Sequence, residues 1–250
     1  MELHKCILTE NDCYKTGHTI IPKGVMVHST GANNPYIKRY VQPDIDGIGV
    51  NKYKSDWNKS GVKKCVHAFI GKMGDGSVAT VQTLPWNYRG WHAGTGKNGS
   101  ANNSHISFEI CEDDLTDKTY FNEVYREAVG LTSYLCKMYK LDPMEDGVVI
   151  CHSEGCAMGV ASNHADVMHW FPKHGKTMDD FRADVAAAME KAEQYDRPVS
   201  EWAKYSWEKA VAKGITDGTS PGEPATREMV ITMLDRMGLL DDYGIGSIEE

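Results

Sequence analysis

Short apolar runs bounded by turn residues recur along the first 150 residues, and they constrain the fold more than any other feature of the sequence. Gly24–Ser29 follows a turn that contains Pro22, and Val148–His152 follows Asp146-Gly147. A third run, Ile106–Cys111, alternates between apolar and polar side chains. Runs of this length and pattern are typical of buried strands. We therefore expect a sheet with several core strands.

Two further runs are separated by a glycine-rich turn. Cys65–Ile70 is followed by Gly74-Asp75-Gly76 and then by Ser77–Leu84. Two strand-like runs joined by a short glycine-containing connection predict a β-hairpin. Its two strands should be neighbours in the sheet.

Two segments carry helical patterns instead. Apolar side chains recur at three-and-four spacing from Tyr120 to Tyr139, ahead of Pro143. A second helix is predicted from Thr177 to about Glu193, with Thr177 as its cap and acidic residues in its first turn, where the helix dipole favours them. Strands interspersed with covering helices predict an α/β domain.

The composition changes between Gln194 and Ser200, and we place a domain boundary there, giving domains 1–194 and 195–250. The second part has one helical stripe that includes Trp202 and Trp207, then a glycine-containing turn, then a second apolar stripe. This pattern predicts a small helix-loop-helix module. A module of this size should need a partner surface to be stable.

Charge and hydropathy exclude two classes of partner. The chain has 27 Lys and Arg against 35 Asp and Glu, a net charge of −8, which argues against nucleic-acid binding. No segment approaches the roughly 18 to 20 apolar residues of a membrane span.

The N-terminus lacks the charged and apolar pattern of a secretory signal, so synthesis in the cytoplasm is expected, and an external target would require release. The seven cysteines lack the spacing of a disulfide scaffold and are expected to be mostly reduced and buried.

Two histidines stand at the ends of predicted strands. His28 ends the first run and His152 ends the last. Strand ends converge at one edge of an α/β sheet, where binding sites usually form. A single histidine in such a position is more often structural, so the prediction of a metal site depends on the whole set of residues.

The segment after His152 offers the remaining candidates. Asp166 could complete a site of two histidines and one carboxylate, with a position open for water, as in catalytic zinc sites. His164 or Cys156 could be the third ligand instead. If His164 and Asp166 both bind, the four ligands would form a closed, structural zinc site.

Three residues are candidates for substrate binding. His92 and Trp91 lie in Gly90-Trp91-His92-Ala93-Gly94, where glycines allow close approach of the backbone and the indole can stack on a sugar or peptide. His67 lies in the first strand of the predicted hairpin. A structural role is an equally good interpretation of His67 and of His92.

Five ordered pieces of the first 190 residues resemble the amidase-2 family of N-acetylmuramoyl-L-alanine amidases, which share a fold with peptidoglycan recognition proteins. The pieces are Val25–Thr30, Val66–Ile70, Gly90–Gly94, Ile106–Glu109, and Cys151-His152 with its distal loop. The distal loop is most similar to that of prophage endolysins of Gram-positive bacteria. The resemblance implies a central mixed β-sheet covered by helices.

The resemblance also implies a chemistry. It makes His28, His152 and Asp166 ligands of Zn²⁺, and it places the family's strand-borne catalytic glutamate on Glu109. Many relatives have a lysine two residues before the last ligand, which stabilises the developing oxyanion; here that position is His164. The expected reaction is hydrolysis of the bond between N-acetylmuramic acid and L-alanine in bacterial peptidoglycan. The alternative is a non-catalytic peptidoglycan-binding protein of the same fold.

The C-terminal stretch resembles an S-layer-homology motif, which covers about 40 residues and is present once. Such modules usually occur as several copies that attach to the cell wall. The resemblance implies wall binding, and self-association through Trp202 and Trp207 is an equally good hypothesis, because an isolated helix pair would leave these rings exposed. A homo-oligomer is thus a possible state.

Overall fold

The computed structural model describes residues 1–238, in which six strands form one sheet. The spatial order is β1-β4-β3-β5-β2-β6. The strands are β1 (Leu3–Lys5), β2 (Gly24–Ser29), β3 (Ala68–Lys72), β4 (Val78–Gln82), β5 (His105–Ile110) and β6 (Val149–Cys151). The β3–β4 pair is antiparallel and the other pairs are parallel, so the sheet is mixed, as expected.

The predicted hairpin corresponds to β3 and β4, whose connection passes through the turn at Gly74-Asp75-Gly76. Parallel pairing places β2 between β5 and the edge strand β6. β1 was not predicted. It is a three-residue edge strand with exposed side chains at both ends, and its sequence has no apolar run.

Six α-helices lie within the described residues, and the first four begin in the unit that contains the sheet. They are α1 (Asp12–Thr16), α2 (Lys118–Tyr139), α3 (His152–Met158), α4 (Met178–Tyr195), α5 (Lys204–Ala212) and α6 (Arg227–Arg236). α2 starts after Asp117, whose carboxylate accepts hydrogen bonds from the first backbone N–H groups, and α4 starts after Thr177, whose hydroxyl accepts from the N–H of Asp180. The apolar stripe of α2 packs in the largest core cluster with side chains of the central strands.

The segment 30–64 covers a second region of the sheet, although its sequence carries no helix or strand pattern. Ile37, Tyr40 and Ile48 are buried in one cluster with Phe69 of β3. Side-chain amides fix the loops, because Asn58 donates to the carbonyl of Gln42 at 2.9 Å. A chain without regular structure is thereby held in a defined conformation.

The chain divides into two compact units, Met1–Met189 and a second that begins at Glu190, so the division falls within α4. The boundary expected from the sequence, after residue 194, lies further along the same helix. The second unit contains α5 and α6, and Trp202 is 88% exposed. Among the described residues, no helix combines the length and the apolar character that a membrane crossing requires.

Candidate metal centre

Strand register brings His28, Glu109 and His152 to one end of the sheet. His28 and Glu109 are direct partners across β2 and β5. Val27 and Cys151 are partners across β2 and β6, so His152, the next residue, lies beside His28. Both histidines are buried, with exposures of 1% and 4%. The carboxyl ends of parallel strands therefore form the base of the site, as expected for an α/β sheet.

Three donor atoms converge there. His28 Nδ1 lies 3.2 Å from Asp166 Oδ2, His152 Nδ1 lies 2.8 Å from the same oxygen, and the two Nδ1 atoms are 3.3 Å apart. Donors bound to Zn²⁺ at 2.0 to 2.1 Å with tetrahedral angles lie about 3.3 Å from one another. The separations and the two-histidine, one-carboxylate donor set fit a zinc ion.

Asp166 is held in place by its own segment. It begins a short 3-10 helix, Asp166–His169, and has a φ of 43°, a left-handed conformation that is costly for most residues but tolerated by aspartate. The buried ring of Trp170 packs against Tyr120 and Phe121, which anchors the end of this segment. His169 Nε2 pairs with a carboxylate oxygen of Glu112 at 3.0 Å. These contacts fix the carboxylate of Asp166 between the histidines.

The protonation states of two of the three groups suit metal binding. Burial lowers the pKa of His28, although Asp166 opposes the shift, so the neutral imidazole that binds metal is favoured. Burial opposes ionisation of Asp166, but hydrogen bonds to His152 and His28 outweigh it and hold the pKa of the carboxyl below its usual range. The carboxylate is therefore ionised at neutral pH.

The second nitrogen of each histidine also has a partner. His28 Nε2 lies 3.0 Å from Nδ1 of His92, and His152 Nε2 lies 3.3 Å from the hydroxyl of Ser162. A hydrogen bond at the nitrogen that faces away from the metal orients a ligating imidazole. Neither contact has a signal in the sequence, because nothing in the pattern links Ser162 or His92 to a strand end.

His164 and Cys156, the alternative third ligands, lie outside the group of donors that converge among the described residues. His164 is exposed, and its ring lies 4.7 Å from that of His152. Ser162 connects the two, since its hydroxyl is 3.2 Å from His164 Nδ1. His164 thus lies beside the donor group without belonging to it.

Glu109 presents a half-buried carboxyl group beside His28. One of its oxygens, Oε2, is buried without a hydrogen-bond partner in the described structure. Burial raises the pKa of Glu109 well above its usual value, the charges of Asp166 and Glu112 raise it further, and the charge of Lys64 opposes them. A carboxyl group with a raised pKa can accept and return a proton near neutral pH.

The three candidates for substrate binding occupy different positions. Trp91 is 49% exposed, and its backbone pairs in both directions with that of Cys65, so an accessible indole stands on a fixed backbone. His92 is half-buried against His28. His67 is fully buried: its Nδ1 accepts from the N–H of Ser107 at 3.0 Å, and its Nε2 bonds to the carbonyl of Tyr88 at 2.8 Å. This geometry favours the structural role of His67 over a substrate contact.

The buried position of His67 predicts a loss of stability in mild acid. Burial lowers its pKa to about 4, from 6.5. Between these values the unfolded chain binds more protons, so the stability contribution present at neutral pH is lost as the pH falls through 6.5 towards 4. The expected loss from this one residue is about 2 kcal/mol at pH 5.

Urea denaturation at pH 7.5 and pH 5 measures this effect. The free energy of unfolding should fall less between pH 7.5 and pH 5 in His67→Gln than in the wild type. The other buried histidines contribute equally to both proteins. An unchanged difference would show that His67 does not carry the acid sensitivity.

Comparison with known proteins gives a family match and several structural matches. Residues 18–172 match the family model described as N-acetylmuramoyl-L-alanine amidase. PlyL has 21% identity and a TM-score of 0.53, covering 74% of this chain and 97% of that chain. The hydrolase AmiA of Staphylococcus aureus, solved in complex with its ligand, has 18% identity and a TM-score of 0.54, with coverages of 76% and 83%.

The catalytic domain of PlyG has 21% identity and a TM-score of 0.51, covering 76% of this chain and 96% of that domain. At these identities the structural matches establish the fold. No curated protein sequence matches the chain.

Proposed function

The chain belongs to the N-acetylmuramoyl-L-alanine amidase family, and on that basis we propose that it uses one zinc ion to hydrolyse the bond between N-acetylmuramic acid and L-alanine in bacterial peptidoglycan. The observation that carries the proposal is the convergence of His28, His152 and Asp166 beside the carboxyl group of Glu109. A binding protein without catalysis has no need for an ionisable group in that position.

The ligand set suits catalysis. His28 and His152 would hold the ion through Nδ1 and Asp166 would hold it through Oδ2, which gives three protein ligands, the number typical of catalytic zinc sites. When bound there, Zn²⁺ polarises the amide carbonyl and makes water acidic enough to attack at neutral pH.

The neighbouring residues then handle protons and charge. Glu109 accepts the proton of the attacking water and returns it to the departing amine of L-alanine. His164, exposed beside His152, donates a hydrogen bond to the negative oxygen of the tetrahedral intermediate. Trp91 offers its exposed indole to a sugar or peptide face.

Incubation of purified cell wall with the protein, with and without a chelator, tests the function. The expected result is the appearance of new L-alanine amino termini, abolished by the chelator and restored by added zinc. New reducing sugar ends without new amino termini would indicate a glycosidase. Binding to the wall without either product would indicate a non-catalytic receptor.

We also propose a prophage-endolysin type of role, in which the protein is made in the cytoplasm and reaches the wall on release. The distal loop from Ala161 to Phe171 supports this subgroup by resemblance only. The whole chain has a net charge of −8, so the protein as a whole gains no long-range attraction to an anionic wall.

A chain ending at residue 195 tests the C-terminal module. We propose that the module binds the wall or mediates self-association, because Trp202 is 88% exposed; Trp207, the second ring expected to take part, is half-buried, and the neighbouring Tyr205 is 76% exposed. The truncated protein should cleave soluble muropeptides like the full chain but should sediment less with purified wall or contain fewer copies per particle, given by the mass from light scattering divided by the mass of one chain. If the number of copies per particle and the sedimentation with wall are both unchanged, the module has neither role.

A further inference from the structure

A cleft of about 560 Å³ lies beside the turn Ile37–Arg39. Four positively charged side chains line it, those of Lys38, Arg39, Lys52 and Lys64, and no Asp or Glu does. Within residues 1–238, none of the four pairs with a carboxylate at ion-pair distance. In a chain with net charge −8, this is a local concentration of unneutralised positive charge.

Aromatic rings hold two of these cations in place. The guanidinium of Arg39 lies over the ring of Tyr40 at 5.5 Å, and the ammonium of Lys64 lies over the ring of Trp57 at 4.8 Å. Both rings pack in turn on Phe69 of β3, with centroid distances of 4.9 and 5.1 Å. The rings of Tyr40, Trp57 and Phe69 thus form a rigid floor beneath two of the four positive charges. A fixed position of these charges lowers the entropic cost of binding an anion.

Strand register places this floor next to the candidate metal centre. His28 is the direct partner of Glu109, and Glu109 is the direct partner of Phe69, so the three residues form a row across β2, β5 and β3. Direct partners project from the same face of a sheet. Neighbouring strands are about 4.8 Å apart, so the floor begins roughly 10 Å from His28, on the far side of Glu109.

We propose that this cleft binds the ionised carboxylates of the stem peptide, on the leaving-group side of the amide that is cleaved; this inference rests on the proposed function. The lactyl carboxyl group of the sugar is consumed in the amide bond, so free carboxylates lie on the peptide side. The second residue of the peptide, a glutamate linked through its side chain, keeps its α-carboxyl group free unless that group is amidated. Two residues of extended peptide span about 7 Å, which brings this carboxylate to the edge of the cleft.

The proposal also reconciles an anionic protein with an anionic substrate. A cluster of four cations raises the local potential in a cleft even where the net charge of the molecule is negative. The cleft then selects between walls, because it favours a stem peptide with a free glutamate carboxylate over one in which that group is amidated.

The experiment compares two muramoyl tripeptides that differ only at the α-carboxyl group of the glutamate. This group is a free carboxylate in one tripeptide and a carboxamide in the other. The variant is Lys38→Gln/Lys52→Gln, which removes two charges from the cleft and leaves Glu109 and the zinc ligands untouched. The matched control is Lys23→Gln/Lys137→Gln, which makes the same change in net charge. Lys23 precedes β2, at the opposite end of that strand from His28, and neither control residue lines the cleft.

Binding is measured by calorimetric titration with Glu109→Gln added to each protein, so that the tripeptides are not cleaved during the titration, and cleavage is measured as kcat/KM with Glu109 intact. The wild type should prefer the free carboxylate, and the cleft variant should lower this preference about tenfold in both measurements, as expected for two partly exposed charge pairs. The control variant should keep the wild-type preference.

Equal loss of preference in the cleft and control variants, or no loss in either, would overturn the proposal. Absence of cleavage of both tripeptides by the wild type would instead count against the proposed function. Because the binding preference is measured independently of cleavage, the two failures are distinguishable.

Discussion

Glu109→Gln should lower the turnover of muropeptides by at least about a hundredfold while the protein retains its zinc. The replacement keeps the size of the side chain and removes only its ability to exchange a proton. Glu109 contacts no donor of the metal group at bonding distance in the described structure, so the affinity for zinc should stay within a few fold of the wild type. Turnover is followed by release of L-alanine amino termini, and zinc content by elemental analysis.

The matched control is Glu145→Gln, which removes an exposed carboxyl group outside the site. Its turnover should equal that of the wild type. Turnover of Glu109→Gln within threefold of the wild type would remove Glu109 from the mechanism, and loss of zinc would make it a ligand instead.

Glu109→Gln should also change the stability of the protein. Because burial raises the pKa of Glu109 in the folded protein, ionisation of this group opposes folding at pH values above its unfolded pKa. Metal-free Glu109→Gln should therefore melt at a higher temperature than the metal-free wild type at neutral pH. Loss of activity with a gain in stability is typical of a group that is retained for function.

Asp166→Asn should lower the affinity for zinc more than about a hundredfold and abolish detectable hydrolysis. The replacement exchanges an ionised ligand for a neutral amide of the same shape, and the two histidines alone cannot complete the site. The affinity is measured by competition with a chromophoric chelator, and the circular dichroism spectrum shows whether the fold is intact. Asp146→Asn, at an exposed turn, is the control and should bind zinc like the wild type.

If Asp166→Asn keeps its zinc, the third ligand is another residue, and His164 is the next candidate because its ring lies beside that of His152. In that case His164→Ala, rather than Asp166→Asn, would lose the metal. The oxyanion role proposed for His164 would then have to be assigned to another group.

The parts of the site that sequence could predict are those attached to periodic elements. His28 and His152 end apolar runs that are recognisable as strands, and parallel strands bring such ends together. Asp166 lies 14 residues beyond His152 in a segment without periodicity, and only the resemblance distinguished it from His164 and Cys156. Its position depends on tertiary packing around Trp170, which no local pattern encodes.

Two features had no sequence signal. The order of the strands, with β2 between β5 and β6, follows from pairings between residues more than 80 positions apart, such as Val25 with Ile106. The cleft is built from segment 30–64, whose conformation is set by side-chain contacts with β3 rather than by helix or strand propensity. The net charge of −8 led to the expectation of no electrostatic attraction, and the cleft shows that charge can be locally reversed.

The row of His28, Glu109 and Phe69, with His152 beside it, has a consequence for the newly synthesised chain. Each of the four residues comes from a different part of the sequence, and a slip of β5 by one position would turn Glu109 to the opposite face. A nascent chain that stops before Asp166 cannot complete the donor group of His28, His152 and Asp166, although all six strands are present by residue 151. Completing the sheet is therefore not sufficient: the donor group forms only when the segment beyond β6 has also packed in place, and zinc binding is expected to report native folding of both parts.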